Sequence, residues 1–157
     1  MQLPYDIAEE SEWNYSFVTK HAIVYHAYFI DYSIYHPAFC EVYTFNIEPE
    51  TDTPHPIDTR IALTIVHILK LFFAVKERAM IMVCDNLDGK EEKRRLLFSK
   101  WFLRYNDAGK IIKFDASAST EGYQLYVSIY LNKENQQKDV LIAAFYDLVK
   151  NNFYPID

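Results

Sequence analysis

The stretch that decides the fold is Met80-Ile81-Met82-Val83-Cys84-Asp85-Asn86-Leu87-Asp88-Gly89-Lys90. Its apolar beginning predicts a short buried strand, and Gly89 falls where the chain must turn from that strand into a helix. On a helical wheel for residues 90–105, the large apolar side chains share one arc, which predicts an amphipathic helix. A strand that leads directly into a helix indicates a fold that mixes the two elements.

Alternating and apolar runs on both sides of this stretch predict the other elements. We expect strands at 13–18, 23–30, 41–47, 80–83, 111–116 and 123–131, and helices at 58–76, 90–105 and 140–149. Thr64, His67 and Lys70 form the narrow polar stripe of the first helix, which is apolar over the rest of its surface. The predicted fold class is therefore α+β: a single domain over 1–157, with a mostly antiparallel sheet of about six strands and three helices in the order βββ-α-β-α-ββ-α.

Composition restricts the classes of partner and compartment. The formal net charge of −6 argues against general nucleic-acid binding, which requires a cationic surface that releases counterions. Only Cys40 and Cys84 are present, and no leader sequence is visible, so the sequence predicts a protein of the reducing cytoplasm. The most apolar run, residues 61–75, is interrupted by His67 and Lys70 and is too short to span a bilayer, so no membrane contact is expected.

Aromatic residues make up 17% of the chain, with 13 Tyr and 11 Phe. This content exceeds what core packing requires, and aromatic side chains are enriched where proteins contact each other. A symmetric self-contact is the most economical use of such surface. The sequence therefore predicts a homodimer; any other protein partner stays unidentified.

One segment concentrates chemically useful side chains. Arg94 falls in the middle of the apolar arc of the 90–105 helix, where a guanidinium needs an acidic partner. Asp85 and Asp88 are the acids of the preceding loop, so an ion pair from Arg94 to one of them is expected. Such a pair would tie the loop to the helix and cap its start. Alternatively, both aspartates could hold Mg²⁺ while Lys90 or Arg94 holds a phosphate, as in a metal-dependent phosphoester hydrolase.

A second set of residues suggests a different kind of surface. Lys93, Lys100 and Arg104 form a basic stripe beside the apolar arc, which is either a solvated helix flank or a contact for nucleic acid. Tyr126 and Tyr130 share the predicted open face of the last hairpin, where they could stack on bases or on a second copy. The overall acidic charge makes the nucleic-acid interpretation the weaker one.

The remaining metal-ligating residues do not form a recognisable site. His26, His36 and Cys40 lack the paired spacing of a zinc site, and Cys84 at the end of a strand is expected to be an inert buried thiol. No catalytic signature is completed in the sequence, so we assign no catalytic residue, no metal and no cofactor.

Two portions of the chain have residue patterns that can be compared with a known family: Tyr15-Ser16-Phe17-Val18-Thr19 with Ile23-Val24-Tyr25, and Cys84-Asp85, Asp88-Gly89-Lys90, Arg94-Arg95, Phe98 and Trp101-Phe102. They resemble a family of small bacterial proteins, known mainly from Bacteroidetes, that is classed as a domain of unknown function. The turn between the first strands departs from the usual hairpin pattern, because it has Lys20-His21 where glycine is common. The resemblance implies a bacterial, cytoplasmic protein and carries no activity with it.

The sequence favours a non-catalytic binding or assembly module, because no constellation of residues supports a reaction. The metal-dependent phosphoester hydrolase is the first alternative, and the nucleic-acid binder that uses the basic stripe is the second.

Overall fold

The computed structural model describes residues 2–85, 100, 102–103, 106, 109–120, 123–152 and 154–155, with only the backbone of residues 84, 85, 120, 123, 152, 154 and 155. The chain divides into two compact units. Unit 1 consists of Met1–Ile30 and Phe45–Ala74, and unit 2 of Asp31–Thr44 and Val75–Asp157. A single domain over 1–157 stays a prediction.

Unit 1 is built from four strands and one helix. The strands are β1 (Ala8–Ser11), β2 (Asn14–Val18), β3 (Val24–Asp31) and β4 (Val42–Pro49), which lie side by side in that order. The pairs β1–β2 and β2–β3 are antiparallel. Helix α1 (Thr59–Phe73) follows, and Asp58 caps its first turn by accepting a hydrogen bond from the Arg60 amide.

The turn between β2 and β3 forms without a glycine. The Ala22 amide donates to the Thr19 carbonyl at 2.9 Å, which closes a tight turn. Ala22 itself has a φ of 60°, so it takes the left-handed conformation that glycine usually supplies in such hairpins. An alanine tolerates this conformation at a cost of about 1 kcal/mol.

Aromatic side chains form much of the core of unit 1. The rings of Phe29 and Phe72 stack with their centroids 4.5 Å apart, and Trp13 approaches both with an edge-on geometry. A second stack joins Tyr5, Phe17 and Tyr25. Many of the aromatic residues are thus used for packing, which leaves fewer of them for surface contacts than the composition suggests.

Unit 2 contains a mixed sheet. After a 3₁₀ turn (Ser33–Tyr35), its elements are the first residues of β4, then β5 (Ala79–Asp85), β6 (Ile111–Thr120), β7 (Tyr123–Asn132), α2 (Lys138–Asn152) and β8 (Tyr154–Pro155). The strands lie in the order β4-β5-β7-β6-β8. β4 and β5 are parallel, whereas β5–β7, β6–β7 and β6–β8 are antiparallel.

Helix α2 covers one face of the β6–β7 hairpin. Leu141 and Phe145 belong to the same buried cluster as Val127, Ile129 and Leu131 of β7. On β6 the side chains of Ile112 and Phe114 lie on this face, because Ile112 pairs with Leu131 and Phe114 with Ile129. The alternate residues of β6 therefore face the other side of the sheet.

The α+β class is confirmed, but the predicted element count is wrong. The described residues contain two α-helices instead of three, and seven strands of four or more residues plus the two-residue β8 instead of about six. The second predicted helix, 90–105, falls largely outside the described residues. The order βββ-α-β-α-ββ-α misses β1, because all four of its residues are exposed and their side chains give no strand pattern.

The predicted polar stripe of the first helix is wrong at Thr64, which is fully buried. Its hydroxyl accepts a hydrogen bond from the Tyr5 amide at 2.8 Å and donates to the Arg60 carbonyl at 2.6 Å. These partners remove the cost of burying a hydroxyl. In the part of the chain that the structure describes, no helix has the length and apolar character that a bilayer crossing requires.

Candidate functional site

The predicted ion pair and metal site lie almost entirely outside the described residues. Asp85 ends β5 opposite Leu125, but its side chain is not described. The other predicted members of this segment also lie outside the described residues: Asp88, Lys90, Lys93, Arg94 and Arg104. Lys100 is described and is exposed. The ion pair, the metal site and the basic stripe therefore stay predictions.

The two tyrosines predicted on an open face are both on β7 but differ in exposure. Tyr130 is only 5% exposed, and its ring meets Phe102 edge-on with the centroids 5.4 Å apart. Tyr126 is half-buried. Because a buried ring cannot offer its face to a base, Tyr130 contributes to packing rather than to a stacking surface.

A charged pair lies on the same face of the sheet as Tyr130. Lys113 and Asp115 of β6 pair across the hairpin with Tyr130 and Ser128, so all four side chains share that face. The Lys113 Nζ lies 3.3 Å from the Asp115 Oδ1 and 5.8 Å from the centroid of the Tyr130 ring. The hydroxyl of Ser128 donates to the same carboxylate oxygen at 2.5 Å. Lys113 is 13% exposed at its side chain and Asp115 is 62% exposed, so the pair opens toward solvent at the carboxylate.

β6 has a backbone edge that is only partly covered. At one end, the side chain of Asn106 accepts from the Ile111 amide and donates to the Ile111 carbonyl, as a neighbouring strand would. At the other end, β8 pairs with Ala118 and Ser119. Among the described residues, no strand pairs with this edge over 112–117.

A groove of about 430 Å³ runs along the first part of this edge. It is lined by Phe102, Leu103, Asn106, Ile111, Ile112, Lys113 and Phe114. Four consecutive residues of β6, 111–114, line this groove. Because the side chains of a strand alternate between the two faces of its sheet, a groove that all four residues line must lie beside the strand edge. Leu103 is 80% exposed at its wall. An apolar wall and an exposed leucine thus occur together beside β6.

Two of the predicted metal-ligating residues, His26 and His36, already have partners within their own units. His26 contacts Glu50 at 2.8 Å in unit 1. In unit 2 the His36 Nδ1 accepts from the Ala38 amide, and its Nε2 contacts Asp147 at 2.8 Å, which leaves neither ring nitrogen open. Cys40 is exposed and free. No group of three metal-ligating side chains occurs within the described ranges.

A buried polar pair in unit 1 was not predicted from the sequence. The hydroxyl of Tyr5 donates to the Oδ2 of Asp58 and accepts from the Lys20 amide, while the guanidinium of Arg60 lies 4.0 Å from the centroid of the Tyr5 ring. Burial and the bond to Asp58 raise the pKa of Tyr5. Burial alone would raise the pKa of Asp58, but hydrogen bonds from Tyr5 and the Arg60 amide outweigh it and lower that pKa below its ordinary 3.8. Every oxygen of this pair has a structural partner, so the pair fixes residues 2–6 to α1.

The residues that line the groove beside β6 were not predicted from the sequence either. The signal for them was present, because Lys113 and Asp115 alternate with Ile112 and Phe114 in a strand pattern. That pattern shows which residues share a face, but whether the strand is central or at an edge depends on the order of strands in the sheet.

Comparison with known families gives one match. A family of unknown function, DUF6169, matches residues 57–147. This range includes the second resembling portion, at 84–102, and leaves out the hairpin portion at 15–25. No curated protein matches the chain.

Proposed function

The chain belongs to the DUF6169 family of unknown function, and from this premise we propose that the protein is a non-catalytic assembly module that forms a homodimer. The observation that supports this proposal is the apolar groove beside β6. Leu103 at its wall is 80% exposed, although burying a leucine is worth roughly 1.5–3 kcal/mol. A second protein surface in the groove would bury it.

The chemistry of the groove also favours binding over catalysis. Its polar residues have partners: Asn106 holds the Ile111 backbone, and Lys113 contacts Asp115. A groove with apolar walls and few polar groups is typical of recognition surfaces. A reducing, cytoplasmic setting is part of the proposal and is supported by the exposed, free thiol of Cys40.

Light scattering after size-exclusion chromatography tests this function. We expect a mass of twice the 18.6 kDa chain at high micromolar protein, falling toward one chain on dilution. Leu103→Asp places a charge in the groove wall and should shift the molecule to the monomer. Val140→Asp is the matched control, because Val140 is 50% exposed on α2 in the same unit and should leave the mass unchanged. A single-chain mass for the wild type at every concentration would contradict the proposal.

A further inference from the structure

We propose that the turn leading into α2 binds a phosphate group, free or as the end group of a small phosphorylated molecule, through the buried amide of Asn135 and the lysines around it. This site lies in unit 2 and does not depend on the proposed homodimer. The start of a helix favours anions, because its first amides lack partners within the helix and its dipole is positive there. A helix start alone does not make a site, but two further features of this turn point to an anion.

The first feature is a buried donor without an acceptor. Asn135 is 5% exposed, and its carbonyl accepts from the Lys138 amide, so the turn runs directly into α2. Its Oδ1 accepts from the Gln137 amide at 2.8 Å, which holds the side-chain amide at the helix start. The Nδ2 of the same amide group is shielded from solvent and has no hydrogen-bond partner among the described residues. A buried N–H without an acceptor is unfavourable, and an oxygen of an anion would supply one.

The second feature is a group of lysines around the same turn. The Lys133 amide donates to the Lys110 carbonyl at 2.8 Å, and the Lys76 Nζ lies 2.6 Å from the Glu134 Oε2. The hydrogen bond and charge of Lys76, together with the charges of Lys133 and Lys110, lower the pKa of Glu134. Three cations from separate parts of unit 2 thus surround the residue that directly precedes Asn135.

The carboxylates near these lysines offset them only in part. Glu134 pairs with Lys76, and the charge of Glu77 also acts on Lys76. Both side chains of the Lys76–Glu134 pair are more than half exposed, and exposed ion pairs contribute little to stability. A phosphate group carries about −1.5 to −2 charges at pH 7, so it can displace the single charge of Glu134 from Lys76. Moving the Glu134 side chain also gives an anion access to the shielded Nδ2 of Asn135.

The geometry of the donors favours a phosphate group over a carboxylate. A phosphate monoester presents three strong acceptor oxygens, so it can reach the Asn135 amide and two lysines together, whereas a carboxylate has two oxygens. The size of the site favours a small molecule over a nucleic acid. A nucleic acid requires an extended cationic surface, and the net charge of the chain is −6.

Titration of the isotope-labelled protein with inorganic phosphate, followed by NMR, tests the inference. The side-chain amide of Asn135 and the backbone amide of Gln136 should shift together with one dissociation constant, on the order of 1 mM. Acetate and sodium chloride at matched ionic strength should leave these signals in place. Phenyl phosphate separates two sources of the anion: tighter binding than inorganic phosphate assigns the site to a phosphorylated molecule, and equal binding assigns it to phosphate itself.

Three variants localise the binding. Asn135→Asp keeps the cap, because aspartate and asparagine cap helices equally well, but it removes the donor and repels an anion; it should raise the dissociation constant at least about tenfold. Glu134→Gln removes the competing carboxylate and should lower the constant roughly threefold. Lys150→Ala lies at the opposite end of α2, where Lys150 is exposed, and is the matched control that should leave the constant unchanged. Circular dichroism melts confirm that each variant is folded.

Each outcome decides the inference. Saturable shifts at Asn135 that Asn135→Asp abolishes and Lys150→Ala retains support the phosphate site. Equal shifts in phosphate and in chloride, or a folded Asn135→Asp protein that binds phosphate as the wild type does, overturn it. If Asn135→Asp does not fold, Glu134→Gln decides, and an unchanged constant in that variant overturns the site. The homodimer is tested separately by the mass of the protein, so either proposal can fail alone.

Discussion

Two aspartates that accept a hydroxyl hydrogen bond have opposite surroundings in this molecule. Asp58 in unit 1 is 8% exposed and is enclosed by Tyr5 and the start of α1. Asp115 in unit 2 accepts from Ser128, but its side chain is 62% exposed. The difference indicates that the same type of pair contributes more to stability where it is enclosed than where it is open to water. Changing the first pair should therefore lower stability more than changing the second.

The largest effect is expected at the closed pair. Asp58→Ala removes the cap of α1 and leaves the buried hydroxyl of Tyr5 without its acceptor. We expect the free energy of unfolding to fall by about 2–4 kcal/mol, from about 1 kcal/mol for the cap and about 1–3 kcal/mol for the unpaired group. Urea denaturation measures this change.

Asp52→Ala is the matched control for Asp58, because Asp52 is exposed in the same unit. It should change stability by less than about 0.5 kcal/mol. The dimer dissociation constant of Asp58→Ala, measured below its melting temperature, should stay at the wild-type value. A loss of stability for Asp58→Ala no larger than that of Asp52→Ala would contradict the structural role of the closed pair.

An intermediate, pH-dependent effect is expected at a pair in which only the hydroxyl is buried. Tyr43 in unit 2 donates to the Glu41 carboxylate at 3.0 Å, and burial together with this bond raises the pKa of Tyr43 to about 12. The unfolded chain loses the tyrosine proton near pH 10, before the folded chain does. Stability should therefore decline as the pH rises from 10 to 12.

Tyr43→Phe tests this assignment through the slope of stability against pH. The variant has no proton to lose at this position, so its stability should decline less steeply than that of the wild type over the same range. Tyr35→Phe is a suitable control, because Tyr35 is 53% exposed. Equal slopes for Tyr43→Phe and the wild type would show that the Tyr43–Glu41 bond does not favour the protonated hydroxyl.

The smallest effect on stability is expected at the open pair. Asp115→Ala removes a carboxylate that is mostly in water, but it also removes the acceptor of the buried Ser128 hydroxyl, so the free energy of unfolding should fall by about 1 kcal/mol. Urea denaturation measures this change. A loss of stability as large as that of Asp58→Ala would mean that both pairs are structural.

The fold was partly predictable because the apolar and polar side chains of several elements follow the period of a strand or a helix. The alternation after Tyr123 predicts β7, and the apolar run after Asp58 predicts α1 close to its observed bounds. β1 and β8 were missed because an exposed strand and a two-residue strand pair mainly through the backbone, which carries no sequence signal. Thr64 was misplaced because its buried partner, Tyr5, is 59 residues away in sequence.

The candidate site was less predictable for a related reason. Lys113 looks like any exposed lysine of a strand, and the sequence does not reveal that β6 lies between β7 and the short β8. Asn106 is recognisable as an edge cap only once its contact with Ile111 is known. The charged residues after β5 are visible because they cluster in the sequence, whereas the groove beside β6 results from the arrangement of strands.

The most direct test of the account is the mass of the wild-type protein and of Leu103→Asp over a range of protein concentrations, measured by sedimentation equilibrium. If a second copy occupies the groove beside β6, the wild type should change from one chain to two as its concentration rises, and Leu103→Asp should stay at one chain. A wild type that keeps the mass of one chain at every concentration would contradict the account.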